Sequence, residues 1–264
     1  EYGIDPNSIN TWEAFIEAGQ ILTRDRSGKS PTDPDFNSRS VEHWGLGKWQ
    51  ARNTGAFVMV DLLMQSIDGS RAIKDDFTAN WTTPTGLKAF QMWVDLITKH
   101  QIQSPRDLMT DLSTSDTNFA TGREAMHHLA SFRIADIKAQ AIFDPAEIGS
   151  LTYPGIDENS GAVEINAWYV GIAERSKNKE LAWKFVEKLT GAEADLLWAI
   201  EADIIPARRS TLSDPFFATP SGEFVGNLAQ KAMESSFLTL CPPVDFKEDL
   251  ALALHEVVNG TMTT

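Results

Sequence analysis

The clearest pattern along the chain is the helical spacing of apolar residues in three stretches. The first follows Thr11, a residue type that caps helix N-termini, and the second opens at the pair Thr83 and Pro84. The third, "NKELAWKFVEKLTG", stops at Gly191, a residue suited to a helix C-terminus. The spacing predicts three helices with buried apolar faces, formed by Trp12, Phe15, Ile16 and Leu22, by Leu87, Phe90, Val94 and Ile97, and by Leu181, Phe185 and Leu189.

Short apolar runs between the predicted helices are typical of buried strands. They are "EAMHHLA" at 124–130, "EIGSLTYP" at 147–154 and "NAWYVGIA" at 166–173. Strands that alternate with helices favour an α/β fold with parallel strand pairs. The polar segment 23–40, which contains glycine and proline, predicts a surface loop.

Composition and charge narrow the classes of function. The 37 acidic residues against 23 basic ones give a net charge of -14, which repels the phosphates of nucleic acid. Cys241 is the single cysteine, so neither an intrachain disulfide nor a cysteine metal cluster can form. No apolar run approaches the roughly 20 residues of a membrane span, and the start "EYGIDPNSIN" resembles no export signal. We expect a globular protein that does not bind nucleic acid and that is long enough for two lobes.

The sequence contains none of the common catalytic motifs. G-x-S-x-G, G-x-G-x-x-G, H-E-x-x-H and the phosphate-binding glycine loop are all missing from it. The adjacent His127 and His128 face opposite sides of a strand and cannot chelate one ion together. The sequence therefore predicts no catalytic residue, no metal site and no cofactor.

The eight tryptophans are candidates either for the core or for stacking on sugar rings. Trp93 and Trp183 occur at helical spacing, which predicts core packing. Trp44 and Trp49 lie in "VEHWGLGKWQARNTG", a loop-like stretch without apolar periodicity. For these two residues, packing and ligand binding are equally open.

Four stretches, in order along the chain, resemble the extracellular solute-binding proteins of ABC importers, in the group that includes maltose- and glycerol-3-phosphate-binding proteins. They are "YGIDPNSINTWEAFIEAGQILT", "NFATGREAM", "ERSKNKELAWKFVEKLTGAEA" and "IIPARRS". The resemblance implies a type II periplasmic-binding-protein-like fold, with two α/β lobes joined by a hinge. Members of that family usually carry a signal or lipoprotein sequence and a βαβ lobe before the first of these stretches, so we expect most of the N-terminal lobe to be missing from this chain.

The family pattern also divides the chain. It assigns residues 1–164 and 213–264 to the C-terminal lobe and lets residues 165–212 cross into the N-terminal lobe. The resemblance implies a periplasmic or extracellular protein, lipid-anchored in some members, that captures a sugar, polyol or related small polar solute. It would deliver this solute to the transmembrane subunits of an ABC permease. A carbohydrate-active α/β enzyme and a scaffold protein without a small ligand remain as alternatives.

The end of the predicted strand at 124–130 indicates where a solute could bind. Small residues there would let a ligand approach the backbone, Phe132 could stack on a ring, and Arg133 could donate a fork of hydrogen bonds. In the family a binding aromatic often follows this strand, which favours a ligand role over core packing for Phe132. Similar comparisons add the "WQ" pair at 49–50, the lobe crossover at 166–168 and the turn before Phe246. The candidate ligand-binding residues are Trp44, Trp49, Gln50, Asn53, Ser131, Phe132, Arg133, Asn166, Trp168 and Phe246.

Overall fold

The computed structural model describes residues 2–47, 55–106, 112–128, 130–165, 167–234, 236–238 and 244–262. In these residues the helices are α1 (Trp12–Leu22), α2 (Gly55–Asp68), α3 (Pro84–Thr98), α4 (Leu112–Ala120), α5 (Ile134–Gln140), α6 (Lys179–Leu189), α7 (Ala192–Ala202), α8 (Pro220–Glu234) and α9 (Val244–Val258). The strands are β1 (Arg24–Asp25), β2 (Val41–Leu46), β3 (Glu124–Met126), β4 (Val163–Ile165) and β5 (Ser236–Leu238). No helix in this part of the chain is both long and apolar enough to cross a bilayer.

The strands form two small sheets. In the first, β2 lies between β1, its antiparallel neighbour, and β3, its parallel neighbour. An isolated parallel bridge joins Leu46, the last residue of β2, to Gln103. In the second sheet, β4 and β5 pair in parallel. The α/β character with parallel pairs is as the sequence predicts.

Two of the predicted helices begin where their caps indicate. The Thr11 side chain accepts a hydrogen bond from the Ala14 N–H at 3.2 Å, and Thr83 accepts one from Gly86 at 3.4 Å. The prediction was wrong for Leu87, which is 49% exposed on the outer side of α3. The other predicted core positions of α1 and α3 are buried or half-buried: Trp12, Phe15, Ile16, Leu22, Phe90, Val94 and Ile97.

The main core lies between α1, α2, α3 and α9. Trp93 is fully buried there, as predicted, and Phe57 and Leu63 of α2 are buried with it. Trp12, near the start of the chain, and Leu254, near its end, belong to this same core. Helix α9 therefore closes over elements that precede it by more than half of the chain.

Helix α1 packs against β2 through glycine. The Gly45 N–H donates to the Thr23 hydroxyl at 2.9 Å, and a Cβ at position 45 would overlap the carbonyl group of Gly19. We expect Gly45→Ala to lower the free energy of unfolding by about 1–3 kcal/mol in urea denaturation, because overpacking forces the two backbones apart. Gly149 has open space around it, so Gly149→Ala should change that free energy by less than about 0.5 kcal/mol. Equal losses in the two variants would contradict this account.

The third predicted helix forms as α6, but its apolar face is not buried. Leu181, Trp183 and Phe185 are 68%, 56% and 64% exposed, so the prediction of a core role for them was wrong. Leu189 at its end is half-buried. Exposed apolar residues continue on α7, including Trp198. Among the described residues, no element covers this face.

The predictions of two strands, at 147–154 and 166–173, were also wrong. The stretch 147–154 contributes only an isolated bridge between Tyr153 and Ala162. Residues 167–173 are irregular, and β4 ends just before them. A strand needs a neighbour for its backbone hydrogen bonds, and neither stretch has a strand beside it in the described part of the chain. The polar segment 23–40 is mainly turns, as predicted, with only the two residues of β1 in a strand.

Candidate functional site

The candidate site lies at the edge of the first sheet where two parallel strands end. Leu46 of β2 pairs with Met126 of β3, and the Gly47 N–H donates to the Met126 carbonyl at 2.6 Å. The chain therefore leaves both strands at one edge. In open α/β sheets, ligands bind at the carboxyl ends of the strands.

The segment after β3 turns sharply at this edge. Residues Ser131–Arg133 form one turn of 3-10 helix, in which the Arg133 N–H donates to the Ala130 carbonyl at 3.0 Å. Helix α5 continues directly from Arg133 with Ile134, which is buried. Burial of Ile134 anchors the turn and leaves Phe132 46% exposed at the surface.

The structure brings together two of the predicted ligand-binding aromatics. The ring centroids of Phe132 and Trp168 are 6.2 Å apart, and the rings are inclined by 79° in an edge-to-face contact. Trp168 is 88% exposed and its neighbour Tyr169 86%. These side chains present aromatic faces at the edge of the sheet without filling a core.

Arg133 uses its guanidinium within the protein. Its Nε and Nη2 donate to Asp116 Oδ2 at 2.9 and 2.5 Å, and its Nη1 lies 3.1 Å from Asp136 Oδ2. The hydrogen bonds that Arg133 donates to Asp116 raise the pKa of Arg133 further above its ordinary value. The sequence predicts that the Arg133 guanidinium binds solute oxygens. In the structure this guanidinium binds the carboxylates of Asp116 in α4 and Asp136 in α5, and these contacts hold the turn in place.

A buried histidine lies beneath the turn. His127 Nε2 is 3.2 Å from Asp116 Oδ1, and His127 Nδ1 is 3.1 Å from Glu124 Oε2. Burial disfavours the imidazolium, but the hydrogen bonds and charges of both carboxylates outweigh it and raise the pKa of His127. His128 lies instead against Tyr153, with ring centroids 5.7 Å apart, and burial lowers its pKa to about 3. The two imidazoles therefore have different surroundings, as their adjacency predicted.

The other predicted site residues lie in a strand, in the turn or outside the described part of the structure. Trp44 is not in a loop: it lies in β2 opposite Glu124, half-buried, two positions before the strand ends. Ser131 begins the turn. Phe246 belongs to α9, and its side chain lies outside the described part of the structure. Trp49, Gln50, Asn53 and Asn166 also lie outside the described residues.

Sequence reasoning missed the charged residues of this site. Asp116, Glu124 and His127 form a buried cluster that is linked to the turn through Arg133, and none of them stands in a recognisable motif. Gly47 was also missed, although a Cβ there would overlap the Glu124 carboxylate. The available signal was Glu124 at the start of a strand predicted to be buried, because a buried carboxylate requires a partner. In the described residues, no group of three or more His, Cys, Asp or Glu side chains is arranged to hold a metal ion.

Comparisons with known proteins identify the fold and the family of this chain. A family model described as bacterial extracellular solute-binding protein matches residues 5–222. A maltose-bound protein of T. maritima superposes with a TM-score of 0.75 and 19% identity, covering 99% of this chain and 63% of that one. A solute-binding protein of Thermotoga lettingae bound to α-D-tagatose superposes with a TM-score of 0.73 and 20% identity, and the match again covers 99% of this chain and 63% of that one. A solute-binding protein of Agrobacterium radiobacter in complex with ribitol superposes with a TM-score of 0.71 and 18% identity. That match covers 96% of this chain and 60% of the other one.

These likenesses establish the fold and, through the family model, the family. The chain spans about 63% of the length of the first two structures that it matches. The α/β fold of the periplasmic-binding-protein type, predicted from sequence, is confirmed. The family model covers most of the chain, and the family predicted from the four short stretches is also confirmed. This chain belongs to the bacterial extracellular solute-binding proteins.

Proposed function

We propose that this chain forms the larger part of the substrate-binding component of an ABC importer, and that it captures a sugar or polyol. The contact between Phe132 and Trp168 at the carboxyl edge of the first sheet carries the proposal. Aromatic faces stack on the apolar faces of sugar rings, and exposed apolar side chains that contact one another, as these two do, are typical of binding surfaces. The protein binds its solute and makes or breaks no bond in it.

The solutes bound by similar structures support this chemical class. Their bound molecules are maltose, α-D-tagatose and ribitol, all of them neutral and rich in hydroxyl groups. A neutral polyol suits a site whose guanidinium, that of Arg133, is already paired with the carboxylates of Asp116 and Asp136. Affinity then comes from stacking and from a few hydrogen bonds to hydroxyl groups.

The site is completed by a second lobe. In this proposal residues 1–164 and 213–264 form one lobe, which the shared core of Trp12 and Leu254 supports. Residues 165–212 cross into the other lobe, where the exposed apolar faces of α6 and α7 would pack. Hinge closure of the lobes would bring further groups onto the solute opposite Phe132 and Trp168.

The partners and location follow from the same proposal. The loaded protein docks on the transmembrane subunits of an ABC permease, in the periplasm or on the outer face of a membrane to which a lipid anchors it. Nucleic acid is not a partner, since the net charge of -14 opposes its binding. The native start of the full-length protein should carry an export sequence, and a cytoplasmic start would contradict this location.

The test is a search for the solute. Mass spectrometry of the full-length protein purified without added sugar should find a co-purified sugar or polyol. Calorimetric titration with maltose, maltotriose, D-tagatose and ribitol should then give a saturable heat with at least one of them, and the recovered sugar should be chemically unchanged. Cleavage of the sugar would favour the carbohydrate-active enzyme. A lack of both co-purified solute and calorimetric heat would favour a scaffold protein.

A further inference from the structure

The buried histidine beneath the Phe132 turn is enclosed by two carboxylates. The side chains of Asp116 and Glu124 are each 1% exposed, and that of His127 is 2% exposed. Each ring nitrogen of His127 lies within hydrogen-bond distance of one carboxylate oxygen, at 3.2 Å for Asp116 and 3.1 Å for Glu124. The ring of Phe119 stacks on the imidazole with centroids 5.6 Å apart.

This geometry favours the doubly protonated imidazole. A neutral imidazole has one N–H, so its other nitrogen would point a lone pair at a carboxylate oxygen. Only the imidazolium donates to both partners. The charge balance agrees, because Arg133 compensates Asp116 and a charged His127 compensates Glu124. A neutral His127 would leave one buried carboxylate without a counter-charge, which is costly.

The cluster joins the two chain segments that leave the sheet at the site. On one side, Asp116 accepts both hydrogen bonds that fix the Arg133 guanidinium, and thus the turn with Phe132. On the other side, a Cβ at Gly47, where β2 ends, would overlap the Glu124 carboxylate and lie 2.7 Å from His127 Nδ1. His127 therefore touches carboxylates that contact both segments.

We propose that His127 is a positioning residue: as an imidazolium it holds the Phe132 turn and the end of β2 in the arrangement that binds solute, so that solute affinity falls at alkaline pH. This inference deepens the proposed function and rests on it for the affinity alone. The protonation state and the order of the turn are properties of the unliganded protein.

The direction of the pH effect follows from the surrounding charges. Asp116 faces His127 from α4 and Glu124 from β3, while Arg133 acts through Asp116, and Asp136 of α5 pairs with Arg133. The neighbouring His128 is neutral at neutral and alkaline pH, since its pKa is about 3.

Because the folded pKa of His127 is raised above 6.5, its stabilising contribution is complete below about pH 6.5 and is lost as the pH rises through the folded pKa. The pKa of Asp116 is lowered, although burial opposes this, because it accepts hydrogen bonds from His127 and Arg133. Its contribution is present above pH 3.8 and is lost as the pH falls through the folded pKa. The ionic interactions among Asp116, His127 and Glu124 therefore contribute their full stability between about pH 3.8 and pH 6.5.

The experiment uses the full-length protein with 15N-labelled histidine. Imidazole NMR between about pH 5 and 10 should show His127 doubly protonated well above the ordinary histidine pKa of about 6.5. Glu124→Gln removes one counter-charge and should lower this midpoint by about one unit, which corresponds to a tenfold change in the proton affinity. Amide hydrogen exchange of residues 130–133, compared at one pH, should be about tenfold faster in His127→Gln, in proportion to the lost local stability.

The affinity readout uses maltose as the probe. Its calorimetric dissociation constant should rise about tenfold as His127 loses its proton, and His127→Gln should remove this pH dependence. His255→Gln is the matched control, since His255 lies on α9 and contacts Asn259 instead of a carboxylate. It should change neither the exchange nor the pH profile.

Two results would overturn the inference. One is a His127 midpoint at or below about 6.5 that Glu124→Gln does not move. The other is a His127→Gln protein whose turn exchanges as slowly as in the wild type. If His127→Gln fails to fold, the midpoint shift in Glu124→Gln still decides. If maltose does not bind, the proposed solute class has failed for that sugar, while NMR and hydrogen exchange still decide the role of His127.

Discussion

Trp168→Ala is expected to weaken solute binding about tenfold to a hundredfold while the fold stays intact. Loss of a stacked aromatic face corresponds to roughly 1–3 kcal/mol of binding free energy. Trp168 is 88% exposed, so its removal leaves almost no cavity in the core. Phe132→Ala should have an effect of the same size, because its ring lies 6.2 Å from that of Trp168. Calorimetric titration with the co-purified solute measures both effects, and thermal melting checks the fold.

Phe77→Ala is the matched control for these two variants. Phe77 is another exposed aromatic, 58% exposed, in the segment that connects α2 to α3. It should bind the solute with unchanged affinity. Wild-type affinity in both Trp168→Ala and Phe132→Ala would place the solute elsewhere. A similar loss in Phe77→Ala would show that the effect is not local. The parallel sequence-based expectation for Trp49→Ala, a tenfold to hundredfold loss, stays a prediction.

Trp93→Ala is expected to lower the free energy of unfolding by about 3–5 kcal/mol, the largest loss that we predict for a single substitution. Trp93 is fully buried in the core between α1, α2, α3 and α9, so the shortened side chain leaves a large cavity. Urea denaturation monitored by circular dichroism measures the loss. Under conditions in which both proteins are folded, the calorimetric affinity for the solute should be unchanged.

Trp93→Phe separates the contribution of the aromatic ring in the core from that of the buried indole N–H. The indole Nε1 of Trp93 is buried and has no hydrogen-bond partner among the described residues. Phenylalanine removes this desolvated polar group and keeps an aromatic ring in the core. We therefore expect Trp93→Phe to lose less than half of the free energy that Trp93→Ala loses. An equal loss in the two variants would mean that the indole N–H has a partner in solution.

Trp183 shows why helical spacing alone does not identify a core residue. The same spacing that correctly placed Trp93 predicted a stability loss of about 3–5 kcal/mol for Trp183→Ala. In the structure Trp183 is 56% exposed and its Nε1 donates to Glu187 of the same helix. A periodic apolar face indicates that a helix can pack, but the rest of the fold decides whether another element covers that face. In the described residues, none covers the face of α6.

The sequence by itself determined the elements that depend on local interactions. Helices α1 and α3 begin at Thr11 and Thr83 because hydroxyl caps and helical spacing act over three or four residues. The four family-like stretches also sufficed to predict the fold and family. The ligand-binding roles of Phe132 and Trp168 stay predictions.

Only the tertiary structure decided which residues meet. The contact of Phe132 with Trp168 and the enclosure of His127 by Asp116 and Glu124 depend on how α4, β3 and the segment after β4 are arranged. The same holds for the failed strand prediction at 166–173, since a strand forms only where a neighbouring strand accepts its backbone hydrogen bonds. Burial, pairing and protonation are properties of surroundings, and distant parts of the chain supply those surroundings only when it folds.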